Sequence, residues 1–287
     1  MSMPVQFMSE VSSNHSCDLG RCLDFIDVSA EIGCDAVKFQ LFRVNEMFAP
    51  EILSRSEIHR ARKSWELPEG FIGPIAERCE RRGVSFCCTP FHLGAVDVLK
   101  DHVGIFKIAS YELLWTELLE AVARTGKPVV LSTGLATMDE IHNAVKTLRN
   151  AGAGDITLLH CVSAYPTPPG EANLAAIGTI RDGTGCAVGW SDHTVSPGVL
   201  HRAVHKWRVP LIEFHLDLDG TGAEYASGHC WLPYEIGAVI REMRAAEIAD
   251  GTGIKAPTPS ELPDREWRAD PVDGLRPMFA IRRSWAA

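Results

Sequence analysis

Short apolar or β-branched runs recur eight times along the chain, and almost all of them end in a residue that can bind phosphate, a metal or a proton. They close at Glu10, Lys38, Thr89, Lys107, Ser132, His160, Ser191 and His215. Helical spacing fills the gaps between them. Asp18 offers an N-cap to a helix in which Leu19, Cys22, Leu23, Ile26 and Ala30 share a face, and Gly33 is placed to stop it. A second helix, around Phe71 to Arg82, stops at Gly83. Thr137-Met138-Asp139-Glu140 is a capping box, followed by Ile141, Ala144, Val145 and Leu148 at helical spacing until Gly152. A last helix is expected from Pro233 to Ile248. The expected strands are 5–10, 36–39, 84–88, 105–108, 128–132, 156–161, 187–191 and 211–215. This alternation predicts an α/β protein, a (β/α)8 TIM barrel, whose chemistry gathers where strands run into βα loops.

Two stretches break the rhythm. Gln40 to Pro68 has patchy periodicity and reads as an elaborated βα loop. Beyond Asp250 the composition turns to Lys-Ala-Pro-Thr-Pro-Ser-Glu-Leu-Pro, so the expected organisation is a barrel over 1–250 and a Pro-rich tail over 251–287 without regular structure. Trp267, Met278 and Phe279 leave open whether that tail packs or hangs as a linker.

Composition narrows the function classes. A chain of 287 residues with 46% hydrophobic content suits one barrel with a full core. The formal charge of -9 argues against a general nucleic-acid surface and restricts any phosphate site to a focal cluster. Nine cysteines, an odd number without a Cys-x-x-Cys pair, fit buried free thiols in a reducing cytoplasm better than a disulfide framework. The start has neither a basic leader nor an apolar stretch of signal type, and no run is long enough to span a bilayer, so a cytoplasmic protein without a membrane partner is expected.

Lys38 and Lys107 both finish apolar strands, where an ammonium is costly to desolvate unless an anion meets it. The pair points to a phosphate or carboxylate site; the alternative is structural pairing with a Glu such as Glu10 or Glu112. Thr89, Ser110, Ser132, Thr133, Ser163 and Ser191 add hydroxyls at matching levels, and Ser132-Thr133-Gly134 opens a loop whose amides could face an anion. His193 and His215 stand at the ends of consecutive strands, where two imidazoles can share a divalent ion, although two ligands do not identify the metal and a packed histidine is the alternative for each. His160, inside a strand, reads as packed or hydrogen-bonding. Glu10 could act as general acid or base, or neutralise either lysine.

Read in order, these segments resemble the sialic acid synthase family of phosphoenolpyruvate-dependent sugar acid synthases. The likeness is carried by Glu10-Val11-Ser12-Ser13-Asn14-His15, Val37 to Gln40, Cys88 to Phe91, Lys107-Ile108-Ala109-Ser110 and Leu131-Ser132-Thr133-Gly134. It continues through Leu158 to Pro168, Ser191-Asp192-His193-Thr194 and Glu213-Phe214-His215, and covers about residues 10 to 248.

The resemblance implies that C3 of phosphoenolpyruvate attacks the open-chain aldehyde of a sugar, water adds at C2, and phosphate leaves by C-O cleavage. It implies that Lys38, Thr89, Lys107, Ser110, Ser132, Ser163, Tyr165 and Ser191 contact phosphoenolpyruvate. His193 and His215 would hold Mn2+ or Mg2+ to polarise the aldehyde, and Glu10 would act near the reacting centre. The substrates would be phosphoenolpyruvate and an aldose such as N-acetylmannosamine.

Three departures bear on the acceptor. Where the family has Pro-Gly-Pro-Asp with an acceptor-facing Asp, this chain has Thr221-Gly222-Ala223-Glu224, which extends the carboxylate by a methylene, and Glu224 is expected, with Glu10, as a catalytic residue. The following Tyr225 to Trp231 differs from the family's basic stretch. Family members continue past Arg-Arg-Ser-Leu into an antifreeze-like lid that also mediates dimerisation; here Arg282-Arg283-Ser284-Trp285 is reached and Ala287 is last. A more open acceptor pocket is the expectation, with a homodimer through the barrel as one assembly. Two alternatives remain at this level: a synthase using another aldehyde, and a non-catalytic sugar- or phosphate-binding barrel that regulates a partner.

Overall fold

Strands that are apolar on both faces need cover on both sides, and a closed barrel ringed by helices supplies it. The computed structural model describes residues 4–285. Among these, eight parallel strands pair in chain order: β1 (Gln6–Glu10), β2 (Ala36–Leu41), β3 (Ser85–Pro90), β4 (Ile105–Ile108), β5 (Val129–Ser132), β6 (Ile156–Cys161), β7 (Ala187–Asp192) and β8 (Leu211–Leu216). β8 also pairs with β1, with Glu10 opposite His215, and so closes the barrel. The covering helices are α1 (Leu19–Ile32), α2 (Ile72–Arg82), α3 (Leu93–Leu99), α4 (Thr116–Ala123), α5 (Met138–Asn150), α6 (Ala176–Thr184), α7 (Pro197–His205) and α8 (Pro233–Ala249). The expected (β/α)8 fold is the observed one.

Local signals account for the helix limits. The Asp18 side chain accepts from the Arg21 amide, and Gly33 closes α1 at φ 94°. Thr137 and Glu140 form the reciprocal capping box of α5, a cap of a kind that contributes about 1 kcal/mol. The segment after β2 is an elaborated loop as expected, carrying short helices at Val44–Met47, Pro50–Arg55 and Glu57–Ala61 and anchored by buried Val44 and Leu67.

Alternation along the strands produces two stacked layers inside the barrel. Met8, Ala36, Cys87, Val130, Leu159 and Leu211 form an apolar plug. Two residues further along their strands stand Glu10, Lys38, Thr89, Ser132, Cys161 and Glu213. Gly189 belongs to the lower layer, where a Cβ would collide with the Leu211 carbonyl and the Leu159 side chain. The larger core lies outside the strands: Phe39, Phe106, Leu131, Val188, Trp190 and Phe214 meet helix residues such as Phe25, Ile75, Leu148 and Ile240. Each such large side chain contributes about 1.5–3 kcal/mol by burial. A cavity of about 120 Å³ at the amino-terminal mouth, beneath the plug, includes Met8, Asp35 and Leu211 in its lining. Asp35 there is already engaged by the Phe7 amide and by Arg244.

Two features depart from the sequence reading. A ninth strand, β9 (Cys230–Trp231), runs parallel to the end of β8, pairing Cys230 with His215 and Trp231 with Leu216. The second departure is in the tail. The structure falls into two units divided between Glu247 and Ile248, and the Pro-rich unit is not devoid of regular structure. It contains a 3-10 turn at Pro259–Trp267 and a helix at Phe279–Trp285. Proline suits a first helical position, and the Thr258/Glu261 capping box starts the turn. Asp270 accepts from the amides of Val272 and Phe279, and the rings of Trp267 and Trp285 lie 6.2 Å apart. Among the described residues, no helix is long and apolar enough to cross a membrane.

Candidate functional site

The polar layer inside the barrel is a connected set of charges. Lys38 Nζ lies 2.9 Å from Glu10 Oε2 and 3.2 Å from Glu213 Oε1. Lys107 Nζ lies 3.4 Å from Glu213 Oε2 and donates to Ser132 Oγ at 2.7 Å and to the Ile108 carbonyl at 3.2 Å. Lys38 also donates to Thr89 Oγ1 at 3.4 Å, and Gln40 donates to Glu10. All four charged side chains are buried, an arrangement that survives only because each charge meets its opposite. Burial opposes the charge on Lys38, but Glu10 and Glu213 outweigh it and raise the ammonium's pKa. Burial alone would push the Glu213 carboxyl up; Lys107 and Lys38 reverse this and hold it below the usual range. The two lysines therefore converge, and in the free protein they pair with carboxylates, Glu10 among them, as the structural alternative expected. Glu112 is not the lysines' partner: its Oε2 has no hydrogen bond, and burial pushes its carboxyl up to about 7 despite Lys107 nearby.

Above Lys107 stands a wall of hydroxyls. The Gly134 amide donates to Ser110 Oγ at 3.0 Å, Ser110 Oγ lies 3.2 Å from Cys161 Sγ, and the buried Ser163 Oγ has no partner. A Cβ at Gly134 would strike Ser163 Oγ, Ser110 Oγ and Cys161 Sγ, so only glycine permits this approach. Thr133 is directed elsewhere, its hydroxyl donating to the Leu159 carbonyl at 3.1 Å. Ser191 is buried on β7, its Cα paired with those of Cys161 and Glu213.

The opposite side of the mouth is built from imidazoles. The His193 and His215 rings are 5.3 Å apart, and Tyr165 lies 4.2 Å from His193, 6.0 Å from His215 and 5.2 Å from His229, centroid to centroid. His193 Nδ1 donates to the Val162 carbonyl at 2.8 Å, and His215 Nδ1 donates to Glu224 Oε2 at 3.0 Å. The His193 ring is thus steered through Nδ1, while the Nδ1 of His215 points into the group around Glu224. The donor chemistry fits a divalent ion. Burial, then repulsion from His215, lowers the His193 pKa to about 3. Burial also opposes charge on His215, but its contacts with Cys230 and Glu224 win and raise it to about 10.

Glu224 is fully committed. Its Oε1 accepts from Ser12 Oγ at 2.6 Å and Ser13 Oγ at 2.8 Å, while Oε2 faces His215, His229 Nε2 at 3.5 Å and Cys230 Sγ at 3.9 Å. Burial disfavours its charge, but the hydrogen bonds from His215 and His229 prevail and drive its pKa far down, so it is an ionised acceptor. His215, Glu224, His229 and Cys230 place their donor atoms within 4.8 Å of one another. His193 stands outside that group of four. His160 is the packed residue its position suggested, Nε2 meeting the Ala172 carbonyl at 3.0 Å and the ring lying against Trp190.

All twelve candidates, Glu10, Lys38, Thr89, Lys107, Ser110, Ser132, Ser163, Tyr165, Ser191, His193, His215 and Glu224, thus lie at the carboxyl mouth of one barrel. Three participants escaped the sequence reading as site residues: Glu213, His229 and Cys230. Glu213 is the carboxylate two positions before His215 on the same strand face, a legible signal. Cys230 and His229 are delivered by β9, whose Cys-Trp-Leu between Gly228 and Pro233 was the only hint of a strand.

The NeuB family profile matches residues 25–255. The uncharacterized protein MJ1065 of Methanocaldococcus jannaschii is 39% identical over 90% of this chain and 75% of its own length. N,N'-diacetyllegionaminic acid synthase of Campylobacter jejuni is 32% identical over 88% of this chain and 80% of its own. The crystal structure of N-acetylneuraminic acid synthetase from Leptospira borgpetersenii, in complex with citrate, superposes with a TM-score of 0.80 at 32% identity, covering 93% of this chain and 92% of that one. With the barrel and the ordered motifs already in view, these matches make the chain an enzyme of the NeuB family.

Proposed function

We propose that this enzyme condenses phosphoenolpyruvate with the open-chain aldehyde of a sugar, giving a 3-deoxy-2-keto sugar acid of the nonulosonic type and inorganic phosphate. The observation that carries this reading is the meeting of Lys38 and Lys107 across Glu213 inside the barrel mouth, beside the hydroxyls of Thr89, Ser110, Ser132 and Ser163. Both ammonium groups are fully occupied in the free enzyme, so an incoming phosphate or carboxylate displaces weaker neutral partners such as Thr89 and Ser132. The unpartnered Ser163 hydroxyl is available to the same anion. Ser191 and Tyr165 border the same space and complete the contacts with phosphoenolpyruvate.

In the reaction, phosphoenolpyruvate C3 forms the new bond to the aldehyde carbon, the aldehyde oxygen takes a proton, and water adds at C2. The C2–O bond to phosphate then breaks, and C2 becomes the ketone. Glu10, held by Lys38 and Gln40, orients the reacting groups from below. His215, with His193 beside it, would hold a divalent ion, which when bound would supply Lewis-acid polarisation of the aldehyde. Glu224 keeps the His215 ring aligned through Nδ1, so its part is chiefly positioning rather than proton transfer. Comparison with synthases of N,N'-diacetyllegionaminic acid and N-acetylneuraminic acid supports a sugar aldehyde as acceptor.

The test supplies phosphoenolpyruvate, Mn2+ and a panel of N-acetylated and neutral aldoses, and follows phosphate release with and without EDTA. Aldose-dependent release that EDTA abolishes is the expected result. With the bridging oxygen of phosphoenolpyruvate isotopically labelled, the label appears in phosphate for C-O cleavage. Binding of phosphoenolpyruvate without turnover on any aldehyde would instead mark a binding module.

A further inference from the structure

The segment joining β8 to α8 is anchored at both ends. Asp217 and Asp219 at its start are fixed by Arg21 at 3.0 and 2.8 Å, and the Trp231 indole at its end donates to Asp192 Oδ2 at 3.1 Å. Between these anchors, the pairing of β9 with β8 sets Cys230 directly opposite His215. The His229 ring then lies 5.0 Å from that of His215, with its Nδ1 held 2.8 Å from Ser227 Oγ and its Nε2 turned toward Glu224. The result is two imidazoles, one thiol and one carboxylate around a common point, each no more than a sixth exposed.

We propose that His215, Glu224, His229 and Cys230 form a four-donor ion site whose chemical class is zinc, cobalt or ferrous iron rather than magnesium. The donor atoms lie within 4.8 Å of one another, and a tetrahedral ion draws such donors to roughly 3.5 Å apart, a contraction of side chains alone. Imidazole and thiolate are borderline-to-soft ligands, whereas magnesium seeks carboxylate, carbonyl and water oxygens. Glu224 Oε2 already faces all three of the other donors, so an ion entering among them replaces contacts that converge on one oxygen. His193 stays beside this group, its ring 5.3 Å from that of His215. The inference rests on the reading that this mouth holds a divalent ion; it moves that ion's ligand set away from the His193/His215 pair, and an aldehyde oxygen would then have to enter as a fifth ligand.

Zinc outranks magnesium at nearly any nitrogen or sulfur site, so ranking alone decides nothing. The test is what happens when the added donors are removed from the full chain. Chelator-stripped protein is titrated with Co2+ and with Zn2+ by calorimetry, and the cobalt complex is followed by absorption. Wild type should show the intense visible bands of a four-coordinate ion and a near-ultraviolet thiolate-to-cobalt band. Cys230→Ser should abolish the thiolate band. His229→Gln, close in shape and still able to bond Ser227, should weaken Zn2+ by more than the about 10- to 100-fold typical of a residue that only steers a ligand. Cobalt spectra unchanged in both variants but lost in His193→Ala would overturn the proposal. Circular dichroism on every variant guards against misfolding, and His229→Ala serves should His229→Gln fold poorly. Phosphate release from phosphoenolpyruvate on the same samples reports separately on the reaction class.

Discussion

The two sides of the barrel mouth are built by different means. On the anion side, Lys38, Thr89 and Ser132 are strand residues two positions beyond a residue of the apolar plug, Lys107 stands two beyond Ile105, which packs against the plug, and the backbone ladder fixes their heights. On the imidazole side, His215 alone is deep in a strand; Glu224, His229 and Cys230 arrive on one folded-back segment held by Arg21 and Asp192. The proposed anion contacts are thus carried by the barrel wall, whereas three of the four proposed ion donors are carried by a loop. If both proposed roles hold, phosphoenolpyruvate capture and ion binding should be separable by mutation.

The sharpest break between the two sides comes from removing one charge from each. Lys107→Ala leaves Glu213 short of a buried partner and should cost about 3–5 kcal/mol of stability in chemical denaturation, as broken buried pairs do. It should also weaken phosphoenolpyruvate binding measured by calorimetry. His215→Ala should abolish ion-dependent turnover while leaving phosphoenolpyruvate affinity close to wild type. Equal loss of phosphoenolpyruvate binding in both variants would mean that the two sides act as one unit.

A finer cut lies within the anion side. Gly134→Ala pushes a methyl group into the Ser110, Ser163 and Cys161 side chains, and overpacking of this kind costs about 1–3 kcal/mol. Its phosphoenolpyruvate affinity should fall while Co2+ binding across the mouth is retained; intact phosphoenolpyruvate binding would remove the hydroxyl wall from the site.

The smallest effect concerns Glu112, whose carboxyl burial raises to about 7. The folded enzyme therefore holds a proton there that the unfolded chain releases near its ordinary value. That contribution to stability is complete at low pH and is lost as pH rises toward 7. Glu112→Gln should flatten this part of the denaturation-midpoint profile. A profile identical to wild type would show that Glu112 does not titrate in the folded state.

What the sequence made legible follows the same division. Lys38 and Lys107 could be placed because period-two alternation ties a residue's face and height to its strand, and eight apolar runs fixed the strands. His193 and His215 followed for the same reason. Glu213 was overshadowed: a carboxylate between Ile212 and Phe214 on a buried strand reads as part of a motif until the barrel closes and brings both lysines to it. His229 and Cys230 were beyond reach because β9 has two residues, too few for any period, and its position depends on pairing with β8. The tail was misjudged differently. Proline content argued against regular structure, while one Thr-Pro-Ser-Glu capping sequence was enough to start a turn.

The double anchoring of the stretch from Asp217 to Trp231 has a practical side. Its two ends are pinned by partners outside it, Arg21 on α1 and Asp192 on β7, and Glu224 and Cys230 fasten its interior to Ser12, Ser13 and His215, so only the residues between these contacts are free to change without loosening the wall. Cassettes of altered composition, spliced between those contacts, offer a way to vary the proposed ion donors and acceptor pocket on an unchanged barrel.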